Sequence, residues 1–91
     1  MFVVISYDIG NDKRRGRIFK TLKNFGQWMQ YSLFECELDK ANLVRLKDRL
    51  DQIIKPSEDD SVRFYFLCES CKGQIKRIGG EKPRKEGAII V

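Results

Sequence analysis

Nine residues near the amino terminus, YDIGNDKRR at positions 7–15, combine a carboxylate with a cluster of cations. Asp8 follows the apolar run FVVISY and therefore stands at the end of a predicted strand, where rigid backbone meets solvent. This position suits a hard cation such as Mg²⁺, which prefers oxygen ligands and usually takes one or two protein carboxylates. Taken alone, the residues favour the alternative that Asp8 caps a turn or pairs with a neighbouring arginine.

Cations and aromatic residues offer two ways of binding a nucleic acid. Arg14, Arg15 and Arg17 could bind a phosphate backbone, and the net charge of +5 with a pI near 9.3 favours an acidic partner. The alternative for these arginines is a solvated helix face. Tyr65 and Phe66 could stack on bases, but RFYFLCES lacks the glycine and spacing of an RNA-recognition strand. We therefore predict that the aromatic pair belongs to a core strand.

Histidine is absent, which removes the commonest general base and the commonest metal ligand. Cysteine occurs three times, and Cys68 and Cys71 form a C-x-x-C pair, which is half of a zinc site without a second half. A thioredoxin-like pair opens a helix, whereas this pair follows a predicted strand, so we predict two reduced thiols. The odd count, the lack of a signal peptide and the lack of a membrane-length apolar run predict a cytoplasmic protein with no membrane partner.

Apolar periodicity predicts six elements along the chain. They are a strand over 2–8, a helix over 12–25, an extended stretch over 28–38, a helix over 40–54, a strand over 61–68 and a short strand over 74–78. Asn11 or Asp12 is expected to cap the first helix and Asp39 the second, and Gly26 is placed where a helix ends.

This order predicts an α+β sandwich with two helices on one face of a sheet. If residues 28–38 contain two strands, the order becomes the ferredoxin-like βαββαβ arrangement, but periodicity does not decide this. We predict a ferredoxin-like domain over residues 1–78, with a linker and an extra C-terminal strand over 79–91. The apolar end of that segment, AIIV, is expected to dock on the sheet edge of a second copy, which predicts a homodimer.

The chain resembles the CRISPR-associated protein 2 family, the small dimeric subunit of the spacer-acquisition machinery. The resemblance rests on the order and spacing of five stretches, YDI, DKRR, FGQWMQYSLFE, RFYFLC and GQIKRIGG. It runs nearly from end to end and implies the ferredoxin-like fold. It also implies a homodimer whose sheets meet face to face, with Asp8 of each copy near the two-fold axis.

The resemblance also implies a site and two alternative activities. Asp8 would be the catalytic residue and the ligand of Mg²⁺, for which Mn²⁺ could substitute, and Tyr7, Ser32 and Phe34 are predicted as supporting residues. One activity is metal-dependent endonuclease cleavage of RNA or duplex DNA. The other is an adaptor that bridges dimers of the CRISPR integrase subunit without needing the acid. A ligand-sensing regulatory domain is disfavoured, because no glycine-rich loop or small-molecule signature is present.

Overall fold

The computed structural model describes residues 1–80, in which an antiparallel sheet carries two long helices on one face. The elements are β1 (Phe2–Asp8), α1 (Asp12–Lys23), β2 (Gln27–Gln30), β3 (Leu33–Glu37), α2 (Lys40–Ile53), β4 (Ser61–Leu67) and a short α3 (Glu69–Lys72), with a 3₁₀ turn at Pro56–Glu58. The strand order is β2-β3-β1-β4. This is the ferredoxin-like βαββαβ arrangement, so the predicted α+β fold class is confirmed.

The extended stretch over 28–38 divides into β2 and β3, which periodicity alone did not decide. Tyr31 has a φ of 44°, a left-handed conformation that reverses the chain between the two strands. The indole N–H of Trp28 donates a hydrogen bond of 2.8 Å to the Tyr31 carbonyl and so closes this turn. A register shift between Trp28 and Gln30 gives β2 an irregular pairing with β3.

The core lies between the sheet and the helices. In β1, Val3, Ile5 and Tyr7 point towards the helices, and the alternate residues point to the opposite side, which we call the open face. Helices α1 and α2 contribute buried side chains at helical spacing, namely Ile18, Leu22, Leu46, Leu50 and Ile53. Each fully buried aliphatic side chain contributes roughly 1.5–3 kcal/mol to folding, so this layer holds the site on a fixed backbone.

Side-chain caps begin both long helices. The Asn11 side chain accepts a hydrogen bond of 2.9 Å from the Arg14 amide, so Asn11 rather than Asp12 is the cap of α1. Asp39 caps α2 as predicted and accepts a 2.8 Å bond from the Asn42 amide. A cap of this kind contributes about 1 kcal/mol. The residue at which α1 begins, and with it the register of the candidate cations on this helix, is therefore set by local sequence.

Gly26 has a packing role beyond the predicted helix end. Helix α1 ends at Lys23, and the Gly26 amide donates a 2.9 Å bond to the Leu22 carbonyl. A Cβ atom at Gly26 would collide with Cys36 Sγ of β3. A glycine is therefore required here because β3 passes directly against the connection from α1 to β2.

The chain after β4 differs from the prediction in two ways. Residues 74–78 do not form a strand, and they follow a short helix, α3, that opens directly after Cys68. The prediction that the C-x-x-C pair does not open a helix is therefore wrong. The predicted C-terminal strand and most of the predicted linker lie outside the described residues. Within residues 1–80 no helix is both long and apolar enough to cross a membrane.

Candidate functional site

Asp8 is the last residue of β1 and pairs in register with Ser61 of β4. Its side chain is exposed on the open face, and among residues 1–80 no hydrogen bond or ion pair holds its carboxylate. Within residues 1–80 it neither caps the following turn nor forms an ion pair with an arginine, which were the alternatives favoured by the sequence alone. The structure therefore leaves this carboxylate available to a ligand.

Arg63 is a neighbour of Asp8 that the sequence analysis did not select. It lies opposite Ser6 on β4 and is exposed on the same face of the sheet. The pKa of the Arg63 guanidinium is raised, chiefly by a hydrogen bond with Tyr65 and to a smaller extent by the charge of Asp8. The alternation in RFYF could have assigned Arg63 to a face, but only the pairing of β1 with β4 shows that this face carries Asp8.

The surroundings of Asp8 could bind a metal ion through one carboxylate but do not enclose it. No group of three histidine, cysteine or acidic side chains in the described part of the chain could enclose a cation. Asp8 nevertheless offers an exposed carboxylate without a partner among residues 1–80, and Mg²⁺ commonly keeps several waters while binding only one or two carboxylates. The described part of one chain thus supplies one carboxylate at this position, and a second copy of the chain could supply another.

Arg14 is held within the fold. Its Nε donates a 2.7 Å hydrogen bond to Asp60 Oδ2, and its Nη2 donates bonds of 3.2 Å to Asp60 Oδ1 and 3.1 Å to Glu58. Its side chain is only 11% exposed, and Asp60 also accepts a 2.9 Å bond from the Lys55 amide. The geometry thus gives Arg14 a different role from the predicted phosphate contact, because it joins α1 to the turn before β4.

Arg15 and Arg17 differ from Arg14 in exposure. The Arg15 guanidinium donates a 3.0 Å bond to the Ile9 carbonyl and also forms an ion pair with Asp12, so it braces the loop after β1. Arg17 is exposed and has no hydrogen bond or ion pair among residues 1–80. Of the three predicted arginines, Arg17 is thus the one whose charge is available to a polymer.

Lys13, Arg17 and Lys20 form what we call the basic stripe of α1. They are exposed and spaced by four and three residues, so they lie on one face of the helix. Gly16 belongs to the same face, and a Cβ atom there would meet no other atom within 4 Å. The backbone is therefore uncovered between the three cations, which leaves space for a phosphate chain.

The three predicted supporting residues fall in different environments. Phe34 is fully buried and its ring lies tilted against that of Tyr7, with ring centroids 6.4 Å apart, so it is a core residue on the face of the sheet opposite Asp8. Tyr7 is also turned towards the helices, and burial raises the pKa of its hydroxyl, which a hydrogen bond to Ser32 and the charge of Arg15 partly offset. Ser32 accepts a 3.1 Å bond from the Tyr7 amide through its carbonyl. Tyr7 and Ser32 thus position the end of β1.

The chain belongs to the CRISPR-associated protein Cas2 family, whose family model matches residues 1–75. It is 45% identical over 83 residues to CRISPR-associated endoribonuclease Cas2 1 of Chloroflexus aurantiacus, covering 91% of this chain and 89% of that protein. It is 40% identical to CRISPR-associated endoribonuclease Cas2 2 of Methanospirillum hungatei over 88 residues, which is 97% of each chain. The predicted family resemblance is therefore confirmed.

Solved structures of this family have the same fold. Streptococcus pyogenes Cas2 aligns with a TM-score of 0.76 at 34% identity and covers 87% of this chain and 100% of that one. A chain of a partial Cas6-RT-Cas1–Cas2 complex aligns with a TM-score of 0.73 at 29% identity and covers 99% of this chain and 97% of that one. The match extends over almost the entire sequence and includes the strand that carries Asp8.

Proposed function

We propose that this CRISPR adaptation protein is a metal-dependent endonuclease that cleaves phosphodiester bonds at Asp8. The observation that carries the proposal is the exposed Asp8 carboxylate, which has no partner in the described part of the chain and stands at the end of a strand fixed by the core. The relatives above are named endoribonucleases, which supports RNA as the first substrate to test, with duplex DNA as the second.

The site would be completed in a homodimer in which Asp8 of each copy approaches the two-fold axis. Two carboxylates in such proximity repel each other, so a bound cation between them would be favoured. Mg²⁺ bound there would supply an activated water for hydrolysis. Asp8 would hold and orient this ligand, and Arg63 on the same face would neutralise charge on the phosphate. The basic stripe would bind the remainder of the polymer.

The test compares wild type with Asp8→Asn on labelled RNA and duplex DNA, with Mg²⁺, Mn²⁺ or a chelator. Asn keeps the shape but removes the charge that binds the metal, so cleavage should be abolished while binding of the polymer remains. Asp12→Asn is the matched control, because Asp12 is an exposed acid in an ion pair with Arg15 and is not the helix cap. If Asp8→Asn cuts as fast as wild type, the proposal is wrong.

A second candidate function is a non-catalytic adaptor that bridges dimers of the CRISPR integrase subunit. The observation favouring it is the similarity to a chain from a Cas6-RT-Cas1–Cas2 complex. In this case the basic stripe would hold DNA and Asp8 would be dispensable. If neither wild type nor Asp8→Asn cuts, yet both support spacer integration with the integrase subunit, the adaptor function replaces the endonuclease.

A further inference from the structure

Cys68 and Cys71 lie one turn apart at the point where the chain leaves β4. Cys68 is the residue before α3, and its carbonyl accepts a 2.8 Å hydrogen bond from the Lys72 amide, which closes the turn that contains both thiols. Both cysteines are exposed and unbridged, whereas Cys36 is buried in the core. The two exposed thiols are therefore accessible to a reagent in solution and close to each other.

The surroundings of the two thiols are different. Cys68 Sγ lies 3.3 Å from the Ser70 hydroxyl, and this contact, followed by that with Cys71, lowers the pKa of the Cys68 thiol to about 7. The hydrogen bond to Cys68 raises the pKa of the Cys71 thiol. Burial raises the pKa of Cys36 to about 12. Near neutral pH, Cys68 is thus the thiol with substantial thiolate character, and Cys71 keeps its proton beside it.

We propose that Cys68 and Cys71 form a reversible dithiol site that exchanges with low-molecular-weight disulfides. The Cys68 thiolate attacks one sulfur of the small disulfide, which releases one thiolate and leaves a mixed disulfide on Cys68. Cys71 then loses its proton and attacks Cys68 Sγ, which forms the intramolecular disulfide and releases the second small thiol. The protein dithiol is oxidised by two electrons, and the small disulfide is reduced to two thiols.

The local geometry permits this ring to close with a small movement. Residues three apart on a helical turn have Cβ atoms about 5–6 Å apart, whereas a disulfide needs roughly 3.5–4.5 Å. Helix α3 has only four residues and buries none of them, so little packing opposes the shift. Zinc is a weaker occupant, because no group of three histidine, cysteine or acidic side chains among the described residues is arranged to hold a metal ion.

Closure of the disulfide would act on a segment that lies against the sheet. Lys72, the last residue of α3, contacts Glu37 at 3.0 Å and lies 5.0 Å from the centre of the Phe2 ring. Farther along, Arg77 contacts Glu35 of β3. The dithiol therefore stands where the chain turns from β4 towards the open face, and oxidation would restrict that turn.

The experiment incubates the reduced full-length protein with defined ratios of oxidised to reduced glutathione, followed by acid quench, alkylation and mass spectrometry. Wild type should lose two hydrogen atoms without adding mass, reversibly and independently of protein concentration. Cys71→Ser should instead accumulate a stable glutathione adduct on Cys68, because the resolving thiol has been removed. Cys68→Ser should be unable to form the intramolecular disulfide.

Two further variants separate this site from general thiol oxidation. Cys36→Ser removes the buried thiol and should still form the disulfide as wild type does. Ser70→Ala should slow alkylation of Cys68 near neutral pH severalfold, because the Cys68 pKa rises towards that of an ordinary thiol. A wild type that stays reduced, that keeps the glutathione adduct, or that behaves in the same way as Cys71→Ser would overturn the proposal. Circular dichroism verifies that each serine variant is folded.

Discussion

Asp60 is the buried carboxylate that holds the Arg14 guanidinium against the fold. It is 6% exposed, and it receives the Arg14 guanidinium and the Lys55 amide on its two oxygens. Arg14 is the chief cause that lowers the pKa of Asp60 below its usual 3.8. When Asp60 is protonated it loses its charge and no longer holds the Arg14 guanidinium. The attachment of α1 to the turn before β4 therefore depends on pH.

We predict that Asp60 contributes to acid unfolding. Its folded pKa is lowered, so its stabilisation is complete above its ordinary pKa and is lost as the pH falls through the lower folded value. Asp60→Asn should reduce the denaturant midpoint at neutral pH and flatten the decline of stability below about pH 4. Asp59→Asn is the matched control, since Asp59 is exposed with a φ of 65°, which asparagine tolerates. Equal pH profiles for wild type and Asp60→Asn would contradict the prediction.

Arg14 and Arg17 could not be distinguished from the sequence, although both lie in the same helix. What separates them is Asp60, which is 46 residues away from Arg14, in an acidic loop without a recognisable motif. Asp8 could be located, because strand alternation and the end of the apolar run fix its face and its exposure. Its freedom from partners among the described residues and its neighbour Arg63 depend on strand pairing, which periodicity does not determine.

Helices and strands with strong periodicity were predicted within a few residues. Strand β1 has the predicted bounds, whereas α1 ends at Lys23 rather than at 25, because Asn24 caps it. The predicted strand over 74–78 is wrong, because its apolar residues are not packed in the core, and Ile78 is fully exposed. Arg77 of this segment forms an ion pair with Glu35 of β3, a contact that has no signature in a short window of sequence.

The basic stripe of α1 provides the prediction that belongs to this helix. Phosphate contacts release counterions, so the affinity for nucleic acid should fall steeply with salt, regardless of its sequence. Changing Lys13, Arg17 and Lys20 together to Gln should reduce the slope of log affinity against log salt by about one unit for each phosphate that the variant no longer neutralises. Fluorescence anisotropy over a salt series measures this slope.

The control for the stripe removes the same charge from other exposed positions, with Lys40, Lys47 and Lys55 changed to Gln. It should keep most of the slope if the contacts are local to α1. Gly16→Ala tests whether the phosphate chain approaches the helix backbone closely at this position. The substitution should stabilise the helix by about 1 kcal/mol, yet it should weaken binding because the added methyl group occupies the space next to the phosphate. Identical slopes for the two triple variants would mean that only net charge matters and would disprove a local contact surface.

The assembly of two chains is the last requirement of the proposed site, since each chain offers one carboxylate at Asp8. A domain of 91 residues buries only about two-thirds of its unfolded surface, so a second copy would add stability. The open face offers a surface for this contact, because Tyr65 is 49% exposed on it, two residues along β4 from Arg63 and on the same side of the sheet as Asp8. We propose that the apolar residues 88–91, which lie outside the described part of the chain, dock on the sheet edge of the second copy.

We therefore predict a homodimer at micromolar concentration, measured by light scattering coupled to size exclusion. Deleting residues 87–91 should shift it towards monomer if this segment docks on the other copy. Cleavage should then fall in parallel, because the proposed site needs Asp8 of both copies. Asp8→Asn is the control and should remain dimeric, because it removes repulsion and no packing. A full-length monomer whose mass is unchanged by the deletion would rule out the dimer, and a fully active monomer would rule out a site that needs both chains.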